Sequence, residues 1–381
     1  MKNEQRFYLP QLDGLRFFAF FLVFLHHLPG VVGLNRVQAW GWIGVNLFFC
    51  LSAFLMTSLL LMEHGKTGQI SPRKFFMRRI FRIWPLYFFA IILGVLILPA
   101  LGVAGPGFGS EDYAKLLRQH LMPLLLFLDN IATGITDWTD SDALRPLWSI
   151  SSEEQFYVLL PMFMLLMMSC SCKLWLRVLL GLMAFAIGAR VTLLLLQVPY
   201  PAIFTTLMAP DSFVAGMLLG KLYADGMLSG SKVRQYGVRL ALLGFVLLCI
   251  VMVFPRVNPG SWHQAWQYSF VGIGFGLIML YLVTGQSNPL TSLLSMRPFV
   301  WLGKISYGLY VYHGIAIAIA AILLSHPAPV WANKLSVIQW LMLFALSFLV
   351  CVALAAVSYS VLERPFLKLK ARFEVVHSRA P

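Results

Sequence analysis

The 381-residue chain is too apolar to be a soluble protein. Hydrophobic residues make up 59% of it and charged residues 12%, whereas soluble domains usually carry about a quarter charged residues. The net charge of +14 would suit a nucleic-acid-binding protein, but the basic residues lie in short segments between apolar runs, as the positive-inside rule predicts for a membrane protein. The composition therefore excludes a nucleic-acid partner and predicts an all-α integral membrane protein, with a single membrane-embedded domain over 1–381.

The apolar runs are candidates for membrane-spanning helices, because about 20 apolar residues are needed to cross a bilayer. They lie near residues 12–30, 43–62, 83–101, 117–133, 154–169, 174–196, 208–225, 236–254, 266–284, 305–324 and 337–362. Segment 63–82 is strongly basic and is expected inside the cell, whereas 102–147 is mostly acidic and is expected outside. The later basic loops also fall inside only if the run at 117–133 does not cross. We therefore expect about ten transmembrane helices with both termini cytoplasmic, and one re-entrant or interfacial helix.

That re-entrant or interfacial segment, 117–133, carries Arg118 and His120 and is expected to be broken at Pro123. Irregular backbone at membrane depth is tolerated only where it packs on protein or lines a water-filled cavity. The sequence therefore predicts a cavity on the outer side of the molecule.

The cysteines indicate neither a disulfide framework nor a metal site. All of them lie in apolar runs or in short basic loops: Cys50, Cys170, Cys172, Cys249 and Cys351. Cys170 and Cys172 are close in sequence, but no further ligand residues lie near them. No metal is expected.

The first apolar run contains Arg16 and His27, which are separated by ten residues. On a helix that rises about 1.5 Å per residue, their side chains lie roughly 16 Å apart along the axis, toward opposite membrane faces. Arg16 could simply reach the lipid headgroups. His27 can accept a proton from a hydroxyl group near neutral pH. Since successive helical residues point about 100° apart, His26 and His27 cannot both face one site. We predict catalytic roles for His27 and Arg16, with His26 in support.

A basic motif opens the third apolar run. Arg79 and Arg82 are three residues apart, so they lie on one face of a helix, and Arg78 adjoins them. Paired guanidinium groups suit a phosphate or diphosphate, which they bind through two parallel hydrogen bonds. A positive-inside anchor that touches lipid phosphates explains the same residues. As a ligand site, the motif predicts binding of a nucleotide-bearing molecule by these three arginines.

Polar residues are concentrated at the start of the fifth apolar run. Ser151 and Ser152 could cap a helix that opens with Glu153 and Glu154, since negative charge suits a helix N-terminus. Capping does not explain why both carboxylates are followed by a glutamine and Tyr157. A carboxylate at the outer mouth could orient His27 and make it more basic. We therefore predict a catalytic role for Glu153 and supporting roles for Ser149, Glu154 and Tyr157.

Two further sets of polar residues interrupt apolar runs near the middle and end of the chain. Arg190 and Asp211 are expected to form a structural ion pair, although Asp211 is also a candidate for a supporting position along a tunnel. Tyr307, Tyr310 and His313 form a polar stripe at helical spacing. This stripe could line the tunnel or could satisfy neighbouring helices, and Tyr310 and His313 are taken as candidate tunnel residues.

In combination and order, these motifs resemble those of the membrane acyltransferase 3 family. They are Arg16 and His27 in the first span, Gly44–Phe54 in the second, Arg79, Arg82 and Pro85, then Trp148–Tyr157, Asp211 with Gly216, Ser306–His313, and Glu363–Pro365. The resemblance runs from about residue 10 to 366 and leaves a basic cytoplasmic tail over 367–381. Many members of that family carry a fused C-terminal esterase-like domain, and this chain is expected to be a stand-alone form without one.

The resemblance implies an enzyme, a membrane O-acyltransferase and most often an O-acetyltransferase, in the bacterial inner membrane. Such proteins take the acyl group from cytoplasmic acyl-CoA, usually acetyl-CoA, which is a co-substrate rather than a bound cofactor. The acceptor is a hydroxyl of a cell-surface saccharide or glycolipid, such as lipopolysaccharide O-antigen, capsule, exopolysaccharide or peptidoglycan. Some relatives modify small molecules such as macrolides instead. A transporter or flippase of a lipid-linked sugar also fits many spans and buried charges, and a structural or sensory protein is a third alternative.

Overall fold

The protein was examined as a computed structural model that describes residues 7–30, 38–100, 109–139, 141–198, 200–254, 261–284, 288–324 and 335–376. Within these ranges the regular structure is helical. In chain order the helices are α1 (Pro10–His27), α2 (Ile43–Thr67), α3 (Pro72–Ile92), α4 (Leu98–Ala100), α5 (Ser110–Lys115), α6 (Leu121–Leu125), α7 (Asp129–Thr136), α8 (Leu147–Met167), α9 (Cys172–Leu195), α10 (Tyr200–Leu207), α11 (Ala209–Ala224), α12 (Ser231–Val253), α13 (His263–Val283), α14 (Pro289–Leu294), α15 (Arg297–Lys304), α16 (Ser306–Leu323), α17 (Val337–Ser358) and α18 (Arg364–Lys370). Short π-helical turns at Leu93–Ile97, Leu116–His120 and Tyr359–Glu363 join several of them.

Eight of the described helical stretches are long and apolar enough to cross a membrane. They are Ile43–Thr67, Pro72–Ala100, Cys172–Leu195, Ala202–Ala224, Gln235–Val253, His263–Val283, Ser306–Leu323 and Val337–Phe373. The all-α membrane fold predicted from the sequence is thus confirmed. Helices α1 and α8 carry the charged motif residues and fall outside this group of eight. If α1 and α8 also cross the membrane, the total is the expected ten crossings, and that number stays a prediction.

The segment expected to be re-entrant or interfacial consists of short helices rather than one span. A π-helical turn, α6 and α7 follow one another, and the chain turns sharply at Phe127, whose φ is +56°. Pro123 lies inside α6 instead of at the break, because proline is accommodated in the first turn of a helix. A buried contact of 2.8 Å between His120 Nδ1 and Asp129 Oδ1 joins the two sides of the turn. Burial raises the pKa of the Asp129 carboxyl.

Close helix packing relies on glycine where α11 meets α2. A Cβ atom on Gly216 would lie 2.3 Å from the carbonyl oxygen of Cys50, and one on Gly220 would lie 2.9 Å from Cβ of Thr57. Small residues let helix backbones approach closely in lipid. The Asn46 side chain strengthens the same contact by donating to Ser212 Oγ over 3.0 Å. These glycines therefore serve packing.

Substituting Gly216 with valine tests this packing. The added methyl groups would force the backbones of α2 and α11 apart, and overpacking of a core typically costs about 1–3 kcal/mol. We expect Gly216→Val to lower the thermal unfolding temperature measured by size-exclusion chromatography after heating. Gly181→Val is the matched control, since a Cβ atom at Gly181 would contact nothing within 4 Å. Equal unfolding temperatures for the two variants would contradict the tight contact.

Helix α1 lies at the centre of the bundle and packs against α2, α14, α15 and α16. Its contact with α15 is a backbone-to-backbone approach: a Cβ atom on Gly303 would lie 1.8 Å from the carbonyl oxygen of Asp13. Arg16 is held on this helix by an ion pair of 2.8 Å with Asp13. Because α1 is one continuous helix, Arg16 and His27 are held at fixed positions on the same element, and His27 is its last residue.

Candidate active site

A central cavity lies between α1, α2, α3, α8 and α16. Many of the residues singled out in the sequence line it: Arg16, Arg79, Arg82, Ser149, Glu153, Tyr157 and Tyr310. Tyr307, a member of the polar stripe on α16, lines the cavity too, and so do Ser52 and Ser306, for which the sequence suggested no role. Residues far apart in the chain thus converge on one polar space inside an apolar bundle.

A second cavity, the vestibule, adjoins the central cavity at the end where the basic residues lie. Both cavities are lined by Arg16, Met56, Arg79 and Arg82. The vestibule also has Tyr8, Asp13 and Lys370 on its wall. Its charged lining comprises four cations and one carboxylate, so it is suited to an anion.

Arg79 is the most unusual residue of this region. It is only 9% exposed, and its buried Nε atom has no hydrogen-bond partner within the described ranges. Its Cζ atom lies 5.5 Å from the centroid of the Tyr157 ring, in a cation–π contact. Burying a charge without a partner is costly. A buried cation that faces the central cavity and the vestibule therefore points to an anionic ligand.

Arg82 shares this position because of helix geometry. Helix α3 begins at Pro72, where the Ser71 hydroxyl accepts a hydrogen bond of 3.4 Å from the Lys74 amide. Residues three apart on a helix lie on one face, so Arg79 and Arg82 both point into the central cavity and the vestibule. The two arginines therefore lie where the sequence places a pair that binds phosphate. That they bind a ligand together stays a prediction.

Arg78 does not join this pair, contrary to the prediction that it binds the donor. Its Nη2 atom lies 2.7 Å from Glu63 Oε2, and its Nη1 atom donates to the Phe373 carbonyl over 2.9 Å. Neighbouring helical residues point about 100° apart, so Arg78 faces away from the central cavity when Arg79 faces it. Arg78 lines a third cavity, together with Glu63, Arg79, Lys370 and Glu374.

Replacing Arg78 should therefore affect stability rather than donor binding. Arg78→Ala would leave the Glu63 carboxylate, which is 3% exposed, without its guanidinium partner. Breaking a buried ion pair on one side typically costs about 3–5 kcal/mol. We expect a lower unfolding temperature and less protein in the membrane, with an unchanged KM for the donor in the protein that folds. A raised donor KM at wild-type stability would return Arg78 to the donor site.

Glu153 lies in the central cavity and not beside His27. Its Oε1 atom accepts hydrogen bonds from the hydroxyl of Ser52 and, over 2.5 Å, from that of Tyr157. The expected pairing of Glu153 with His27 at the outer mouth is therefore wrong. The reason is depth: Glu153 is six residues into α8, about 9 Å along its axis, and faces α2. Glu154 points elsewhere and accepts a hydrogen bond of 3.3 Å from Trp84 Nε1.

His27 lines a separate, smaller cavity, the histidine cavity. Its other lining residues are Asp142, Arg145, Pro146, His313, Gly314 and Ile317. The Nδ1 atom of His27 is 2.9 Å from the Val23 carbonyl. A carbonyl can only accept, so Nδ1 carries the proton and Nε2 keeps the lone pair of the neutral ring. His27 thus presents the nitrogen that a general base needs.

His313 is arranged in the same way as His27. Its Nδ1 atom lies 2.6 Å from the Tyr310 carbonyl, and its buried Nε2 atom has no hydrogen-bond partner within the described part of the chain. The ring centroids of His27 and His313 are 4.8 Å apart. His26 lies at the side of the pair, with its Nδ1 atom 2.7 Å from the Gln38 carbonyl, and does not line the histidine cavity.

Tyr310 and Ser149 separate the central cavity from the histidine cavity. The Ser149 and Tyr310 hydroxyls are 2.7 Å apart, and both face the central cavity. The Tyr310 ring lies 5.7 Å from the ring of His313, and Ser149 donates to the carbonyl of Pro146, which lines the histidine cavity. The side chains of Tyr310 and Ser149 therefore lie between the two cavities. Polar side chains line the space from the vestibule to Tyr310 and Ser149, and the cavity of His27 lies on the other side of these two residues.

Asp211 lines none of the cavities described above, and the structure shows it in an ion pair instead. It is fully buried and pairs with Arg190 over 2.5 Å, while Ser269 donates to its other oxygen over 2.6 Å. A charge inside a bilayer is usually neutralised by a neighbouring residue, and this pair does so. The alternative interpretation, a structural ion pair, is confirmed.

Several residues that line these cavities could not be singled out from the sequence alone. Ser52 interrupts an apolar run and is part of a family motif, which was a usable signal. Asp142 and Arg145 lie in the acidic outer segment, where a single charge carries no distinguishing pattern. Lys370 lies in the segment described as a basic tail, where lysines are expected for topology alone.

Fold and site together define a membrane-embedded protein with a cationic internal cavity that leads toward a buried histidine pair. The chain belongs to the family described as the acyltransferase domain, whose model matches residues 9–356. No solved structure matches it.

Several bacterial proteins are similar to the chain. A peptidoglycan O-acetyltransferase, OatA of Listeria monocytogenes, is 27% identical over 91% of this chain and 56% of its own length. The putative peptidoglycan O-acetyltransferase YrhL of Bacillus subtilis is 28% identical over 96% of this chain and 56% of its own length. A putative O-acetyltransferase of Staphylococcus aureus is 24% identical over 96% of this chain and 58% of its own length. The chain thus spans little more than half the length of these relatives.

Proposed function

We propose that the protein is a membrane O-acetyltransferase that moves an acetyl group from cytoplasmic acetyl-CoA to a sugar hydroxyl at the outer face of the bacterial inner membrane. Both termini are then cytoplasmic, as the distribution of basic loops requires. Family membership and the similar O-acetyltransferases support acyl transfer. The cationic vestibule supports an anionic donor, and the histidine cavity supports chemistry on a hydroxyl.

The observation that most supports this proposal is the environment of Arg79. A guanidinium that is 9% exposed, and whose buried Nε atom has no hydrogen-bond partner within the described residues, is poorly stabilised until an anion arrives. Coenzyme A supplies a diphosphate, which two arginines on one helix face bind well. With the diphosphate at Arg79 and Arg82, the pantetheine arm extends into the central cavity and carries the thioester toward Tyr310.

The chemistry follows from the proton positions in the histidine cavity. Nε2 of His27 takes the proton of the acceptor hydroxyl while the hydroxyl oxygen attacks the thioester carbonyl. The carbon–sulfur bond breaks, and the proton goes to the thiolate of coenzyme A. The products are an acetyl ester and a free thiol. Holding donor and acceptor in line is worth about 7–11 kcal/mol in well-oriented systems, so positioning by the two cavities supplies much of the rate.

Direct transfer requires the thioester to pass Tyr310. In a two-stage alternative, a side chain of the central cavity first takes the acetyl group from the thioester and then passes it to the acceptor hydroxyl. The overall products are the same. In both routes Arg16, held by Asp13, compensates negative charge at the inner end of the central cavity.

Relatives described as peptidoglycan O-acetyltransferases favour a cell-wall glycan as the acceptor. Comparing surface glycans of a deletion strain and a complemented strain by mass spectrometry tests this. The expected result is the loss of one acetyl group from peptidoglycan fragments, restored by the wild-type gene. Loss of acetyl from O-antigen, capsule or exopolysaccharide would keep the reaction and change the acceptor.

Purified protein distinguishes the enzyme from a flippase of a lipid-linked sugar. Detergent-solubilised protein is incubated with acetyl-CoA and soluble peptidoglycan fragments. We expect acetyl ester and free thiol in equal amounts. A protein that moves labelled lipid-linked sugar across vesicles and releases no thiol would be a transporter.

A further inference from the structure

Lys370 lies on the donor side of the molecule, near the end of the long helical stretch Val337–Phe373. It is the last residue of α18, which packs against α3. Its side chain is 12% exposed and lines both the vestibule and the third cavity. The Nζ atom lies 2.9 Å from Glu374 Oε1, four residues further along the chain. A tail lysine thus faces the same space as Arg79 and Arg82.

The cavities place these three cations in a definite order. Arg79 and Arg82 line the central cavity and the vestibule, whereas Lys370 lines the vestibule and not the central cavity. From Tyr310 outward, Lys370 is therefore the most distant of the three. Any ligand with two separated phosphate groups and one end at Tyr310 would meet the arginines first and the lysine second.

Coenzyme A has this order of groups. Its thioester is followed by pantetheine, then by the diphosphate, and then by a ribose that carries a 3′-phosphate. We propose, on the basis of the function above, that Lys370 binds the ribose 3′-phosphate while Arg79 and Arg82 bind the diphosphate. Lysine suits a single phosphate as a point charge, and paired arginines suit a diphosphate. In the absence of donor, Glu374 forms an ion pair with Lys370, so its carboxylate competes with the phosphate for the lysine.

Binding to purified protein tests this assignment without any turnover. Isothermal titration compares coenzyme A with 3′-dephospho-coenzyme A. Wild-type protein should bind coenzyme A about tenfold more tightly, which corresponds to one charge-assisted contact. Lys370→Ala should bind both compounds equally, at the affinity of the dephosphorylated one, and Lys370→Arg should restore the preference. Lys368→Ala is the matched control, because this lysine belongs to the same helix, is exposed, and does not line the vestibule.

The assignment would be overturned if Lys370→Ala kept the preference for coenzyme A, or if the wild type showed none. Should Lys370→Ala fail to fold, Glu374→Gln gives a second test. Removal of the competing carboxylate should strengthen coenzyme A binding and leave the dephosphorylated compound unchanged, and an unchanged preference would also overturn the assignment. Failure of the two proposals is distinguishable. A wild type that forms the ester but does not prefer coenzyme A over its dephosphorylated form refutes the Lys370 assignment alone. A wild type that shows this preference but forms no ester refutes acetyl transfer alone.

Discussion

Replacement of His27 with alanine is expected to lower kcat for acetyl transfer by about 10²–10⁴-fold, the usual contribution of a general base. The donor KM should stay close to that of the wild type, because His27 lies in the histidine cavity and the arginines lie beyond Tyr310. The measurement is thiol release from acetyl-CoA by purified protein. His27 touches His313 and Val23 within α1 and α16, so the variant should still accumulate in the membrane.

His26→Ala is the matched control for this experiment. His26 is adjacent to His27 on the same helix and is also partly buried, but its Nδ1 atom faces the Gln38 carbonyl rather than the histidine cavity. Its loss should reduce kcat by less than about tenfold, an effect of packing and not of proton transfer. Equal losses in both variants, or wild-type turnover in His27→Ala, would contradict the assigned base.

Replacement of Arg79 with methionine is expected to separate donor binding from stability. Loss of a charge-assisted contact with the diphosphate, worth about 1.5–3 kcal/mol, should raise the donor KM by about 10–100-fold. Without donor the same change removes a buried cation that has no ion-pair partner within the described chain, so the unfolding temperature should not fall. Thiol-release kinetics and thermal unfolding of the same preparation give both quantities.

The neighbouring arginine provides the contrast. Arg78 is buried like Arg79 but is paired with Glu63, so its removal should lower stability and spare donor binding. Arg82→Lys keeps the charge and loses the planar fork, and should weaken donor binding less than Arg79→Met does. A lower unfolding temperature with an unchanged donor KM in Arg79→Met would show that this residue is structural and would remove the main support for an anionic donor.

The sequence predicted those parts of the site that depend on helix geometry alone. Arg79 and Arg82 share a face because they are three residues apart, and they face the same cavity. Tyr310 and His313 are also three apart on α16; Tyr310 lines the central cavity and His313 lines the histidine cavity. Arg16 and His27 lie on the one helix α1, whose last residue is His27, so their separation follows from their spacing.

Features that depend on how helices pack together could not be predicted in this way. The partner of Glu153 is decided by the approach of α8 to α2, which brings Ser52 to the carboxylate and leaves His27 to His313. Asp211 is as polar as Glu153, yet its contact with Arg190 takes it out of the cavities. Lys370 lines the vestibule because α18, which continues the helical stretch of α17, packs on α3, and no local sequence pattern predicts that contact.

Sidedness of the reaction in sealed vesicles tests the central claim most directly. Purified protein is reconstituted into proteoliposomes that enclose radiolabelled acetyl-CoA, with an impermeant peptidoglycan oligosaccharide outside. Only protein molecules whose vestibule faces the lumen can bind the enclosed donor, so only these contribute to the reaction. We predict labelled acetyl ester on the external oligosaccharide and free coenzyme A retained inside, with neither product in His27→Ala vesicles. Ester formation only when donor and acceptor share one side of the membrane would contradict a donor site and a base that serve opposite faces.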